Sequence, residues 1–395
     1  MGCVFRLCSG AALLQGHDSF DSRNYSAVCA AAVRVTRRGT AMQKNIEILD
    51  TTLRDGSYAV DFQYTALDTS IIAKALEGAG VNFIEIGHGI GMGASRRGMG
   101  KAAATDEEYL TAAADALTRA RFGMFCIPGV ACLEDVDMAA DLGAKFIRIG
   151  TNVTEVPSSK LYIERAKKLG LFISANFMKS YALPPKELAQ AAKLTEEYGS
   201  DLLCIVDSAG SMLAEDVREY FTAVKEVSGI ALGFHGHNNL SLAVSHSLLA
   251  VELGAAMVDT SLQGIGRSSG NAPTEIVVAA LERMGVGTGV DMLSIMDAGE
   301  DLIKPLITTR GLSSLDIIMG YAQFHSSYTR LIWSYAGKER VDPRRLIMEV
   351  GKHNKISAPE DLVARIAAEL RGQETRPMSS RFNLSQYHGS EQELL

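Results

Sequence analysis

Between residues 46 and 261 the chain repeats one pattern eight times: a short run of apolar, largely β-branched residues, then a longer stretch with apolar residues every three or four positions. Such runs read as strands buried on both faces, and the stretches between them as helices that lay one apolar stripe on the strands. The runs are 46–53, 82–87, 122–127, 146–150, 171–176, 202–206, 230–234 and 257–261, with helical stretches such as PKELAQAAKLTEEY at 185–198. A helix-length crossover returns the chain to the same end of the sheet, so successive strands lie parallel. Eight such units over roughly 240 residues close into an α/β fold, the (β/α)8 TIM barrel. An open doubly wound sheet is the alternative architecture.

The barrel is expected over residues 44–290. Beyond it the strand pattern stops, and helical periodicity at 292–303, 314–336, 343–350 and 359–371 predicts a helical C-terminal domain over 291–372. Residues 373–395 are polar and aperiodic and read as a disordered tail. Residues 1–43 form an N-terminal extension in which Arg6, Arg23, Arg34, Arg37 and Arg38 outnumber Asp18 and Asp21. A targeting segment and translation from a start upstream of Met42 both account for it. Arg6 stands where a myristoylation signal wants Ser or Thr, so lipidation is not expected.

A net charge of −7 with interspersed signs leaves no basic stripe for nucleic acid. Six cysteines in so long a chain do not make a disulfide framework, none of them falls in a C-x-x-C pair, and a reducing cytoplasm fits. No apolar run approaches the roughly 18 residues that span a bilayer. Small-molecule chemistry remains.

In a TIM barrel that chemistry sits at the C-terminal ends of the strands. Polar residues interrupt those ends at Arg54-Asp55-Gly56, Gly87-His88-Gly89, Asp207-Ser208-Ala209-Gly210 and His235-Gly236-His237. His235 and His237 are two apart on a strand, so both imidazoles share one face. With the Asp55 carboxylate they make a mixed N/O ligand set with open positions, suited to Mn2+ or Mg2+, with other divalent metals compatible. Asn271 offers either a fourth oxygen or a turn. Arg54 presents a planar fork for a carboxylate or an enolate oxygen. Ser208 and His88 are placed with the substrate, although a Ser at that point also caps helices. The glycine-rich run 87–93 lacks the spacing of a dinucleotide loop.

The segments TTLRDGSYAVDFQYT, FIEIGHGIGMGAS, VDSAGSM, GFHGHNNLSLAVSHSLLAVELGA and GIGRSSGNAPTE resemble those of the 4-hydroxy-2-oxovalerate aldolases, within the superfamily of hydroxymethylglutaryl-CoA lyase and isopropylmalate synthase. The likeness runs from about residue 46 to 371. It implies a class II pyruvate aldolase, a lyase that reversibly cleaves a 4-hydroxy-2-oxoacid to pyruvate and an aldehyde. It also implies Mn2+ on Asp55, His235 and His237, with Arg54 steadying the enolate and Ser208 on the pyruvate carboxylate. A homo-oligomer and an acylating aldehyde dehydrogenase partner, docked through the helical region, go with the resemblance.

The chain departs from that family at two positions, with Tyr58 where the pattern has His and His325 where it has Tyr. The catalytic base and its aromatic companion exchange places, which makes His325 the expected base and Tyr58 the group that orients the hydroxyl. Claisen chemistry on an acyl-CoA is the alternative reaction on the same metal and barrel. Its lyase version is disfavoured because QGIGRSSGNAP, at 263–273, holds no Cys. An inactive scaffolding homologue is the non-enzymatic alternative, opposed by the intact Arg54, Asp55, His235 and His237.

Overall fold

A computed structural model describes residues 45–307 and 313–372. The readings of 1–43 and 373–395 lie outside the described residues. Eight parallel strands close in sequence order: β1 (Glu47–Leu53), β2 (Phe83–Ile86), β3 (Arg121–Cys126), β4 (Phe146–Asn152), β5 (Phe172–Met178), β6 (Leu202–Asp207), β7 (Ala231–Gly236) and β8 (Met257–Thr260). Closure is made by β1 against β8, in register from Glu47 beside Met257 to Asp50 beside Thr260. Outside run α1 (Ala66–Gly78), α2 (Asp106–Ala116), α3 (Leu133–Asp141), α4 (Lys160–Lys168), α5 (Pro185–Tyr198), α6 (Ala214–Val227), α7 (Ala243–Glu252) and α8 (Thr274–Arg283). Among the described residues no helix is long and apolar enough to cross a membrane.

The barrel interior is layered by the two-residue period of its strands. Leu49, Phe83, Phe146, Leu202 and Met257 form an apolar floor. Two residues further along β2, β4 and β8 stand Glu85, Arg148 and Asp259, all shielded from solvent. One more step along β7 reaches the two histidines. The apolar floor thus carries a charged layer, and the charged layer carries the site.

Outside the barrel, Glu77 at the end of α1 accepts hydrogen bonds from the backbone N–H groups of Thr118, Arg119 and Ala120, at 2.9, 2.6 and 2.8 Å. Burial opposes ionisation, but these donors outweigh it and bring the carboxyl down to about 2. A depressed folded-state pKa stabilises above the unfolded value and loses that contribution as pH falls through the folded one. Glu77→Gln is therefore expected to lower the unfolding free energy by about 1–3 kcal/mol at neutral pH. It should also flatten the acid limb of stability between pH 4.5 and about 2, read by urea titrations across that range. An unchanged acid limb would count against this account.

After α8 come α9 (Met292–Ala298), α10 (Ser314–Ala322), α11 (Thr329–Glu339), α12 (Pro343–His353) and α13 (Glu360–Leu370). Ile295, Ala298 and Ile303 join the barrel's core cluster. A separate cluster, including Leu315, Met319, Phe324, Ile332, Ile347 and Val363, holds α10 to α13 together.

The single helix predicted over 314–336 is two helices. Gln323 ends α10 in the left-handed region (φ 52°), and His325 is extended (φ −75°, ψ 135°) before a short turn at Ser326–Tyr328 leads into α11. Phe324 is buried in the helical cluster, while the His325 ring accepts from the Ser327 N–H and the Thr329 hydroxyl donates to the Ser326 carbonyl, local bonds that replace those of a continuing helix. The break turns His325 toward the barrel. Asp316 and Ser326 tie this region to the strand ends, accepting from Ser268 Oγ (2.8 Å) and from Arg267 Nε (3.0 Å).

Candidate active site

A cavity of about 240 Å3 opens at the C-terminal ends of the strands. Arg54, Asp55, Tyr58, Ser208, His235, His237 and His325 all line it. Of the residues expected at the site, His88 and Asn271 are absent from its walls. His88 Nδ1 accepts from the Ile90 N–H (3.1 Å), its Nε2 faces the Gly100 carbonyl (3.2 Å), and its ring stacks on Phe62. With both nitrogens engaged it shapes the β2 loop, outside the cavity that gathers the other expected residues.

Asp55, His235 and His237 each offer one ligand atom, all within 4.8 Å of one another. The two Nε2 atoms lie 3.4 Å apart. His235 Nδ1 is bonded to Asp259 Oδ2 at 3.0 Å, and Asp259 also takes Arg148 Nη2. A carboxylate on Nδ1 makes that nitrogen the donor and leaves the Nε2 lone pair aimed into the site, the tautomer a metal needs. Burial pushes His237 down to about 4 against the pull of Asp55, so it is neutral at neutral pH, as a ligand must be. Burial works against the charged Asp55, but Arg54, His237 and His235 hold its carboxyl well below the usual range. Asn271 Nδ2 donates to Asp55 Oδ2 at 2.7 Å, while its buried Oδ1 has no hydrogen-bond partner among the described residues. Gly270 takes φ +80° in the adjoining turn, so the turn itself brings the amide to the site. An anionic oxygen, two imidazoles and an orphaned amide oxygen are a donor set that fits a divalent cation.

Asp259→Asn keeps the shape of that residue and removes the charge that orients His235. Metal affinity is expected to fall about 10–100-fold. Competition with a fluorescent chelator measures it, and an unchanged affinity would show that packing alone holds the ring.

Arg54 is fixed from one side by Glu85 (Nε to Oε2, 2.7 Å) and Asp55 (Nη1 to Oδ1, 2.7 Å), and its guanidinium lies 4.8 Å from the centre of the Phe125 ring. Its Nη2 donates to none of the described residues, which leaves that edge for a ligand. Ser208 Oγ accepts from the Lys179 N–H at 2.9 Å and keeps its own proton to donate.

The other wall is formed by groups that strand-end reading passes over. Arg267, in the loop after β8, donates to Tyr58 Oη (3.3 Å), Ser326 Oγ (3.0 Å) and Ser327 Oγ (3.0 Å). His325 Nδ1 lies 3.2 Å from the Ser327 N–H and 2.5 Å from Ser327 Oγ. A backbone N–H can only donate, so Nδ1 carries the lone pair and the neutral ring's proton sits on Nε2. Burial, then Arg267 and Lys179, push His325 well below its ordinary value, so the ring is neutral. Lys179 escapes a strand predicted to stop at 176, because β5 runs on to Met178 and makes it the first residue past the strand.

A model of the HMGL-like family matches residues 45–302, and one of the DmpG-like communication domain matches 311–372. The 4-hydroxy-2-oxovalerate aldolase of Moorella thermoacetica is 40% identical over 328 residues, covering 83% of this chain and 97% of that protein. That of Pelotomaculum thermopropionicum is 41% identical over 333 residues, covering 84% and 98%. The chain belongs to the 4-hydroxy-2-oxovalerate aldolase family. As a member of that family this aldolase is a carbon–carbon lyase. Its fold is similar to the carboxyl transferase domain of Rhizobium etli pyruvate carboxylase with pyruvate and biocytin (TM-score 0.67, 17% identity, 84% of this chain and 61% of that one). It is also similar to the HMG-CoA lyase of Brucella melitensis (TM-score 0.58, 19% identity, 68% and 100%).

Proposed function

We propose that the aldolase cleaves a 4-hydroxy-2-oxoacid, 4-hydroxy-2-oxovalerate or a relative of it, to pyruvate and an aldehyde, and catalyses the reverse addition. Support comes from one observation: the Asp55, His235 and His237 cluster and Arg54 share a single cavity with His325 and Tyr58. Cleaving the C3–C4 bond leaves an enolate on one fragment and requires a proton to leave the C4 hydroxyl, so both needs must be met in one space.

Asp55, His235 and His237 would hold the cation, for which Mn2+ is our assignment and Mg2+ the alternative. Bound there, it supplies Lewis-acid polarisation of the 2-oxoacid. Arg54 directs its open Nη2 edge at the developing enolate oxygen. Ser208 donates to the pyruvate carboxylate. The proton of the C4 hydroxyl goes to His325, and since the imidazole lone pair is the one that faces Ser327 Oγ, it travels through that hydroxyl: substrate to Ser327, Ser327 to His325 Nδ1. Arg267, bonded to the same Oγ, stabilises the charge that passes over it, and Tyr58 orients the hydroxyl.

The test is metal analysis of the purified protein, followed by a coupled pyruvate-release assay over 4-hydroxy-2-oxoacids with and without a chelator. Metal-dependent release is expected. No pyruvate from any member of the panel would overturn the proposal.

The helical region is proposed to dock an acylating aldehyde dehydrogenase, supported by the communication-domain match and by Ile317 and Tyr321, one turn apart and exposed on α10. A homo-oligomer and a cytoplasmic location complete the proposal, the latter suited by the free thiols of Cys126, Cys132 and Cys204. Co-purification from the native source that yields the aldolase without a dehydrogenase would count against the partner.

A further inference from the structure

The charges in the cavity do not balance. Arg54 and Arg148 are neutralised beneath it by Asp55, Glu85 and Asp259. Lys179 and Arg267 also line the cavity, and among the described residues neither has an acidic group within ion-pair distance. Glu155, after β4, acts on Lys179 only at longer range. Lys179 is buried, with Nζ on the Ile356 carbonyl (2.6 Å) and near Tyr328 Oη (3.4 Å). Two neighbouring cations away from water repel each other and lose hydration, which is costly unless a counter-charge arrives.

Their donors are also not used up. Arg267 has five N–H groups and spends three side-chain bonds on Tyr58, Ser326 and Ser327, while Lys179 has three and spends two. Both side chains stand on the wall shared with the helical region, beside His325, while their backbone N–H groups face the metal cluster's half of the site, Arg267 on Asp55 Oδ2 (3.4 Å) and Lys179 on Ser208 Oγ (2.9 Å). On the reaction proposed above, the pyruvate half of the substrate lies at the cluster with Arg54 and Ser208. The aldehyde half then meets Lys179 and Arg267.

We propose that the preferred substrate carries a second carboxylate, on its aldehyde half, and that Lys179 and Arg267 bind it together. The cleavage product is then a semialdehyde acid instead of a simple alkyl aldehyde. This rests on the aldolase reading for which end of the ligand lies where, but the charge preference can be measured without turnover.

The probes are 2-oxoadipate and 2-oxohexanoate, equal in chain length, differing in a terminal carboxylate against a methyl, and without the C4 hydroxyl needed for cleavage. Calorimetric titration of the Mn2+-loaded full chain is expected to show 2-oxoadipate binding roughly tenfold more tightly or better, the worth of one charge-assisted contact. Lys179→Met should remove most of that preference and Lys179→Arg should keep part of it. Equal affinities in the unmodified protein would overturn the inference with no variant needed. So would a Lys179→Met variant that weakens both ligands alike, because Lys179 would then hold the 2-oxo carboxylate they share. Pyruvate release that favours 4-hydroxy-2-oxovalerate over 4-hydroxy-2-oxoadipate would refute the second carboxylate and leave the aldolase reading standing. Release from neither substrate strikes the reaction, while the 2-oxoadipate preference still reports on the two cations.

Discussion

Asp55→Ala, and separately the double substitution His235→Ala with His237→Ala, are expected to leave a folded barrel that retains no stoichiometric metal and has no measurable turnover. The three side chains come from the C-terminal ends of β1 and β7 and the residues just past them, on opposite sides of the closure strand β8, and meet only above the charged layer. Each removes a ligand and little core packing, because the floor of Leu49, Phe83, Phe146, Leu202 and Met257 is untouched. Arg54 keeps its bond to Glu85 when Asp55 is lost, and Asp259 keeps Arg148 when His235 is lost, so no buried charge is stranded. Elemental analysis after dialysis reads the metal, and far-UV circular dichroism with thermal unfolding reads the fold. Full metal content in the double His variant would remove the assignment.

His325→Ala is expected to lower kcat by roughly 10²–10⁴-fold, the usual worth of a positioned general base, with metal content unchanged. The bond from the Ser327 N–H to Nδ1 adds a sharper expectation. If the proton crosses Ser327 Oγ, Ser327→Ala should fall in the same range as His325→Ala. If the imidazole accepts directly from substrate, Ser327→Ala should cost little. Tyr58→Phe should cost less than either, since Tyr58 orients the substrate and takes no proton. The reciprocal variant, Tyr58→His with His325→Tyr, asks whether the two positions face one substrate oxygen. Recovery of activity over His325→Ala alone supports that, whereas near-native turnover of His325→Ala on the best substrate would assign His325 to packing.

Much of this molecule is legible before any coordinates. Strand-length apolar runs and helical periodicity are local properties of the chain, so each observed strand ends within two residues of its run and the (β/α)8 architecture follows. The rule that barrel chemistry gathers at strand ends selects Asp55, Ser208, His235 and His237 because each stands within a few residues of such an end. The same rule also selects His88, whose two ring nitrogens are engaged within its own loop outside the cavity, a matter of loop conformation that residue type does not encode. It misses Lys179 through two residues of strand length.

What the sequence by itself determined is the barrel and the candidate metal-binding groups Asp55, His235 and His237 at its strand ends. Tertiary structure alone brought Lys179 and Arg267 into the cavity and paired the charged layer beneath it. Arg267 and Tyr58 are 209 residues apart, Lys179 and the Ile356 carbonyl 177, and Arg148 and Asp259 111. No periodicity reports on such pairs, because their meeting depends on barrel closure and on the helical region seating against the strand ends. The break at Gln323 belongs with them: local propensity favours an unbroken helix through 314–336, and burial of Phe324 in one core while His325 faces another cavity overrides it.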